Sequence, residues 1–296
     1  MRLPLESVPN FSEGRDRAAI DAIGEALAAR ARVLDLHADP DHNRSVFTLV
    51  ADDDALVEAL VAGVARAKDV IDLRRHEGVH PRVGAADVVP VVPIRPDDMD
   101  RAHRTALELG RRIAAELGLP VFLYGDIAAG RGPAFFRRGG IAELARRLAR
   151  GDLAPDFGPR TLHPSAGGVL VGARRPLIAF NVNLRGVAVD VAREVAASVR
   201  ESGGGFPGVR ALGLELPRRG LVQVSMNVED YEAAALHDIV GRVAREAEAR
   251  GAEVVGSELV GVMPAGAAVE AAGSALRISG FDASRVLELR LLDEQP

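Results

Sequence analysis

Apolar residues recur along this chain with two alternating periods. A short apolar run over 4–9 reads as a strand, and Ile20, Ile23 and Leu27 then fall on one face of a helix predicted over 16–31. Apolar runs at 33–36 and 45–50 predict two strands separated by a polar loop, His37-Ala38-Asp39-Pro40-Asp41-His42-Asn43-Arg44. Asp53 or Asp54 is placed to cap a helix ending near 69. A loop over 76–84, a strand at 88–94, a helix over 99–117 and a strand at 121–124 follow, so the first half runs βαββαβ with an appended αβ. The second half repeats the motif: strand 178–184, helix 189–201, a Gly203-Gly204-Gly205 turn, a strand pair 209–216 and 221–227 turning at Arg218-Arg219-Gly220, helix 230–250 and strand 253–259. In both halves a strand runs straight into an acidic helix cap. The pattern predicts an α+β chain of two ferredoxin-like (βαββαβ) α/β-sandwich subdomains side by side. The Gly- and Pro-rich stretch 151–168 separates the halves, and the boundary falls near Pro176, giving subdomains 1–176 and 177–296. A cleft between two such subdomains is the expected location of a small-molecule site.

Composition narrows the class. The 296 residues are 48% hydrophobic and 27% charged, ample material for packed cores. A net charge of −5 argues against a bulk electrostatic hold on nucleic acid, and 4% aromatics without tryptophan leave few platforms for stacking bases. The absence of cysteine removes disulfides, thiolate metal sites and cysteine nucleophiles, and it suits a reducing compartment. The first residues lack the apolar run of a signal peptide and no stretch approaches a membrane span, so a cytoplasmic protein with no membrane or nucleic-acid partner is expected. Lys68 is the only lysine, so a carboxylate recognised by a cation is expected to meet a guanidinium, which binds it bidentately.

Three polar clusters are candidates for chemistry. His76-Glu77-Gly78-Val79-His80 fits the HExxH pattern of zinc peptidases, but that chemistry needs both imidazoles on one continuous helix. Gly78 inside the motif and Pro81 after it oppose a helix, since a residue before proline is driven out of the α region. Read as a loop, 76–84 instead gathers two imidazoles, a carboxylate and the Arg82 guanidinium on a stretch feeding a strand, where an imidazole is able to take and return a proton near neutral pH. The loop His37–Arg44 offers two histidines and two aspartates, which keeps a metal-dependent hydrolase using His76/His80 or Asp39/His42 as an alternative; its bland reading is a solvated turn. Asn10-Phe11-Ser12-Glu13-Gly14-Arg15 ends a strand before a helix that Ser12 or Asp16 is suited to cap. His103 and His237 fall within helices and read as packing or surface residues, and the triple glycine reads as a turn without a phosphate-loop lysine.

Several segments together resemble the formiminotransferase family of folate enzymes, whose domain in animals is often fused to a cyclodeaminase. They are Val8-Pro9-Asn10-Phe11-Ser12-Glu13-Gly14-Arg15, Asp41-His42-Asn43-Arg44, His80-Pro81-Arg82-Val83-Gly84-Ala85, Val121-Phe122-Leu123-Tyr124-Gly125, Pro155-Asp156-Phe157-Gly158-Pro159, Ala179-Phe180-Asn181-Val182-Asn183-Leu184, Arg200-Glu201-Ser202-Gly203-Gly204 and Gln223-Val224-Ser225-Met226-Asn227, spanning nearly the whole chain in order. The resemblance implies two α/β subdomains with folate between them, and transfer of a formimidoyl group from N-formimidoyl-L-glutamate to tetrahydrofolate in histidine degradation. It implies His80 as the catalytic histidine and folate held by Gly158-Pro159-Arg160-Thr161-Leu162-His163-Pro164-Ser165-Ala166-Gly167. His37 stands where the fused vertebrate enzymes carry an acid, which passes the orienting role to Asp39 or another group; Asn10, Glu13 and Asn43 join as substrate or orienting candidates. Arg44 and Arg82 are expected to meet the carboxylates of the donor and the folate tail. Tetrahydrofolate is then a co-substrate, no metal is implied, a homodimer is expected, and a separate cyclodeaminase acts on the product. A related enzyme acting on 5-formyltetrahydrofolate, or a folate-binding regulator without catalysis, remains open.

Overall fold

The computed structural model describes residues 2–128 and 130–293, and two compact units divide them, Arg2–Arg175 and the residues from Pro176 onward. In the first unit the opening strand is broken by Val8 and Pro9 into β1 (Leu5–Ser7) and β2 (Asn10–Phe11). Helix α1 (Arg17–Ala28) starts where the Asp16 carboxylate accepts the amides of Ala18 and Ala19, so Asp16 rather than Ser12 is the cap. Strands β3 (Arg32–Asp39) and β4 (Arg44–Ala51) form a hairpin; half of the predicted polar loop is therefore strand, with Pro40–Asn43 turning. Helix α2 (Asp53–Val70) follows Asp52 at the cap position, then come β5 (Ala86–Pro93), α3 (Met99–Leu117) and β6 (Val121–Gly125).

Past β6 the structure adds what hydrophobic periodicity left unread: a short helix α4 (Pro133–Arg137), an amphipathic α5 (Gly140–Arg150) and strand β7 (Val169–Ala173). Strand β7 is five residues preceded by two glycines, too brief to assert itself in the sequence, yet it enters between β5 and β6 and pairs parallel with both. The sheet order is β3, β4, β1/β2, β5, β7, β6. Helices α1 to α3 pack Ile23, Leu27, Leu60, Leu109 and Ile113 against Phe11, Phe47, Leu49 and Val91 on one face. On the other face α4 and α5 bring Phe136, Leu144 and Leu148 onto Val88, Phe122, Tyr124 and Leu170. Removing such apolar side chains from water contributes about 1.5–3 kcal/mol each.

The second unit runs β8 (Ile178–Arg185), α6 (Val189–Val199), β9 (Val209–Leu216), β10 (Leu221–Val228), α7 (Leu236–Glu248) and β11 (Glu253–Val260), followed by α8 (Ala265–Leu276) and α9 (Leu287–Asp293). Helix α7 begins six residues later than its periodicity predicts, because the Asp230 carboxylate accepts the Ala233 amide and holds a turn there. The antiparallel sheet is ordered β11, β8, β10, β9. Both units thus place the first strand of their βαββαβ motif between the fourth and the third, with the second outside the third. Val182, Leu184, Val222 and Val224 form the second core with Val195 of α6 and Ile239 and Val243 of α7. Among the described residues no helix is long and apolar enough to cross a membrane.

Candidate active site

The first unit encloses a charge. Asp87, at the start of β5, has no solvent exposure, and a carboxylate stripped of water must be repaid by partners. Its Oδ1 accepts the Val83 amide at 2.7 Å, while Oδ2 accepts from Arg44 Nη1 at 2.7 Å and from Arg137 Nη2 at 2.5 Å. Burial pushes the carboxyl up, but the Arg137 and Arg44 guanidiniums outweigh it and hold Asp87 far below the usual carboxylate range. Arg44, the first residue of β4, also donates Nε to Asn10 Oδ1 at 3.0 Å; desolvation lowers it to about 10, leaving it a cation at neutral pH.

The loop over 76–84 is fastened beside this centre, and among its residues 76–83 there is no helix. The two imidazoles of the HExxH pattern are therefore not arranged as zinc peptidases require. Two bonds stitch the loop to the 40–43 turn: Asn43 Nδ2 donates to the Glu77 carbonyl at 2.8 Å and the Val79 amide donates to the Asp41 carbonyl at 3.3 Å, with the His76 ring packed close by. Gly78 is required here, because a Cβ would strike the His42 carbonyl and the Asn43 side chain. Asn43 itself adopts a left-handed φ of 47°, which asparagine tolerates, and accepts the Gly14 amide on Oδ1.

His80 is half-buried, its ring 6.0 Å from that of His42 and inclined by 30°. Its Nδ1 stands 2.8 Å from the Pro81 carbonyl. A carbonyl only accepts, so Nδ1 carries the proton and Nε2 keeps a free lone pair. Desolvation, then the charges of Arg44 and Arg137, push the imidazole well below the ordinary histidine range; Asp87 opposes them and His42 adds to them. The ring is consequently neutral near pH 7, a base at Nε2 with its other nitrogen committed.

The other predicted residues divide by occupation. Arg82 spends Nε on the His80 carbonyl, Nη2 on the carbonyls of Gly78 and His80, and Nη1 on His76 Nε2, so it braces the loop that carries His80. Arg44 is taken up by Asp87 and Asn10, and Asn10 Nδ2 donates to the Val8 carbonyl. Glu13 Oε1 accepts the amides of Arg15 and Asp16 at the entry to α1. The buried Asp39 uses Oδ1 to accept the amides of Asp41 and His42, both at 2.8 Å, which sets the turn beneath His42. His37 sits half-buried on β3 opposite Val46.

The stretch Gly158–Gly167 begins at a left-handed glycine (φ 87°), runs exposed through Pro159, Arg160 and Thr161, and closes in a tight turn in which His163 and Gly167 exchange both backbone bonds at 2.9 Å. Its end lies against the His80 segment: Ala85 donates to the Ala166 carbonyl, and Gly168 to that of Val83. Two glycines make this approach feasible, since a Cβ on Gly84 would run into the Gly168 carbonyl and one on Gly167 into that of Val83. The structure thus brings the two segments together along one strand edge. His163 Nδ1 accepts the Ala166 amide at 3.1 Å and holds the turn, and desolvation lowers its pKa. Two members of the centre escaped sequence reading. Asp87 is signalled only as an acid inside an apolar run, and Arg137, within an Arg- and Gly-rich stretch, by nothing in the pattern.

The second unit has its own polar cluster. Gln223, without solvent exposure, donates Nε2 to Asn183 Oδ1 at 2.9 Å, and Asn183 donates Nδ2 to Glu258 Oε1 at 2.8 Å. Arg219 donates to the same oxygen at 2.5 Å. Burial raises the Glu258 carboxyl, but the bonds from Asn183 and Arg219 prevail and lower it.

The sequence matches two family descriptions, the N-terminal subdomain of the formiminotransferase domain over residues 4–174 and the formiminotransferase domain over 179–279. It is 40% identical over 294 residues to a protein of Streptococcus pyogenes named glutamate formimidoyltransferase, covering 97% of this chain and 98% of that one. A Thermoplasma acidophilum protein of the same name is 38% identical over 298 residues, 97% of each. A Sus scrofa protein named formimidoyltransferase-cyclodeaminase is 42% identical over 280 residues, 90% of this chain and 51% of its own length.

Proposed function

We propose that this chain, which belongs to the formiminotransferase family, moves the formimidoyl group of N-formimidoyl-L-glutamate to tetrahydrofolate, releasing L-glutamate in histidine degradation. The observation that carries the catalytic assignment is the His80 ring, neutral, with Nδ1 tied to the Pro81 carbonyl and Nε2 free. The transfer moves one carbon from the nitrogen of glutamate to N5 of the folate, so one proton must leave the accepting nitrogen and one must reach the departing nitrogen. His80 Nε2 takes the first and returns it to the second, and the ring ends as it began. Proton transfer by a placed imidazole contributes about 10²–10⁴-fold in rate.

The proximity of the 158–167 turn to the His80 segment supports reading the exposed part of that turn as the folate subsite. Arg160, exposed there, suits an anionic ligand group. Because Arg44 and Arg82 are occupied, their contribution to substrate binding is positive potential rather than direct bidentate grip. The shared strand order supports naming both units ferredoxin-like subdomains divided near residue 176. We further take the protein to be cytoplasmic and dimeric, with a separate cyclodeaminase consuming the product.

The test is a coupled measurement of glutamate release and formation of the formimidoyl-folate product from purified protein. Wild type should form both in equal amounts, and His80→Ala should lower turnover by about 10²–10⁴-fold with folate binding little changed. Wild-type turnover in His80→Ala would remove the imidazole from the reaction.

A further inference from the structure

We propose that Arg137, reaching from α4 to the buried carboxylate of Asp87, is a positioning residue for His80: through Asp87 it fixes the loop that carries the imidazole, and it sets a second cation beside the ring. The inference rests on the role given to His80 above and concerns a residue outside the repeated βαββαβ motif.

The chain of contacts is short. Arg137 Nη2 lies 2.5 Å from Asp87 Oδ2, and Asp87 Oδ1 accepts the amide of Val83 at 2.7 Å, three residues after His80. Arg137 is itself held firmly, because its neighbour Phe136 is fully buried with its ring 5.4 Å from Phe122 and 5.1 Å from Phe135. Arg44 already neutralises Asp87 through the same oxygen at 2.7 Å. A second guanidinium therefore leaves the enclosed trio with an excess positive charge, an arrangement that costs stability and calls for a return in function.

That excess acts on the imidazole. The charged and titratable groups facing His80 are Arg44 from β4, His42 from the turn before it, Arg137 from α4 and Asp87 from β5, with Arg82 on the loop itself donating to the His80 carbonyl. A single carboxylate stands against the three guanidiniums. The cations disfavour protonation at Nε2 and keep the ring available as a base at and below neutral pH. Without Arg137, Asp87 and Arg44 cancel more nearly, and the imidazole takes up its proton at higher pH.

The experiment follows the Cε1–H resonance of His80 against pH in the full-length, unliganded protein, alongside the pH dependence of kcat/KM. Arg137→Met should raise the His80 titration midpoint by about half a pH unit or more, move the acid limb of kcat/KM upward by the same amount, and lower kcat more than it raises KM. Arg137→Lys, which retains the charge, should return the midpoint towards wild type, which a purely structural role would not require. Should Arg137→Met fail to fold, Arg137→Gln supplies the same test, keeping a donor towards Asp87 without the charge. An unmoved midpoint in a folded, uncharged variant overturns the proposal, as does a moved midpoint with the acid limb left in place. Failure of the proposed function would look different: wild type would release no glutamate, whatever the resonance does.

Discussion

In the first unit, Asp87 is sealed from water and held by two guanidiniums and a backbone amide; in the second, Glu258 keeps part of its surface and is held by Arg219 and the amides of Asn183 and Gln223. The strand order around them is the same. One topology thus supports two electrostatic solutions, two guanidiniums on one carboxylate in a dry site and a single guanidinium joined by neutral amide donors in a wetter one. The difference comes from what the first unit adds to the motif, α4 and its Arg137. Shared topology does not carry the chemistry; the side chains grafted at strand ends do.

The largest effect should come from breaking the dry site. Asp87→Ala leaves two buried guanidiniums without their anion and should cost about 3–5 kcal/mol in urea unfolding. Glu258→Gln, which keeps an acceptor for its neighbours, should cost about 1 kcal/mol. Equal losses would erase the distinction between the two sites. The pH sign is also fixed: the folded Asp87 carboxyl lies below its unfolded value, so its stabilisation is complete above about pH 4 and is lost as pH falls further. Wild type should therefore lose stability on acidification more steeply than Asp87→Asn.

Crowding gives a smaller contrast. Gly84→Ala drives a methyl into the Gly168 carbonyl and should cost about 1–3 kcal/mol by thermal unfolding. Gly220→Ala, at a φ of 63° with open space around it, should cost about 1 kcal/mol from backbone strain alone. If the two melt alike, close approach of the 158–167 turn to the His80 segment is not what Gly84 protects. Smallest of all, Arg185→Ala removes an ion pair whose two side chains are 60% and 61% exposed, and the unfolding midpoint should not move measurably.

Much of this fold was legible because both halves carry long periodic segments. Helix α3 and strand β9 have the bounds that their apolar spacing predicts. The β3–β4 hairpin was misread because His37, Ala38 and Asp39 look like loop residues, and only pairing with Val46, Ser45 and Arg44 makes them strand. Strand β7 escaped because five residues carry little period of their own. At the site, Gly78 and Pro81 make 76–83 legible as a loop rather than a helix, whereas Arg44 and Arg82 read as ligand-binding cations. Their internal partners lie 43 residues away in one case and in nearby backbone carbonyls in the other, and neither leaves a mark in local sequence.

The most direct measurement is the nitrogen-15 spectrum of His80 in the unliganded protein near pH 7, which distinguishes a protonated ring nitrogen from one bearing a lone pair. A neutral ring with the proton on Nδ1 and a free Nε2 is the predicted result. A proton on Nε2, or a doubly protonated ring at that pH, would contradict the assignment of Nε2 as the proton acceptor.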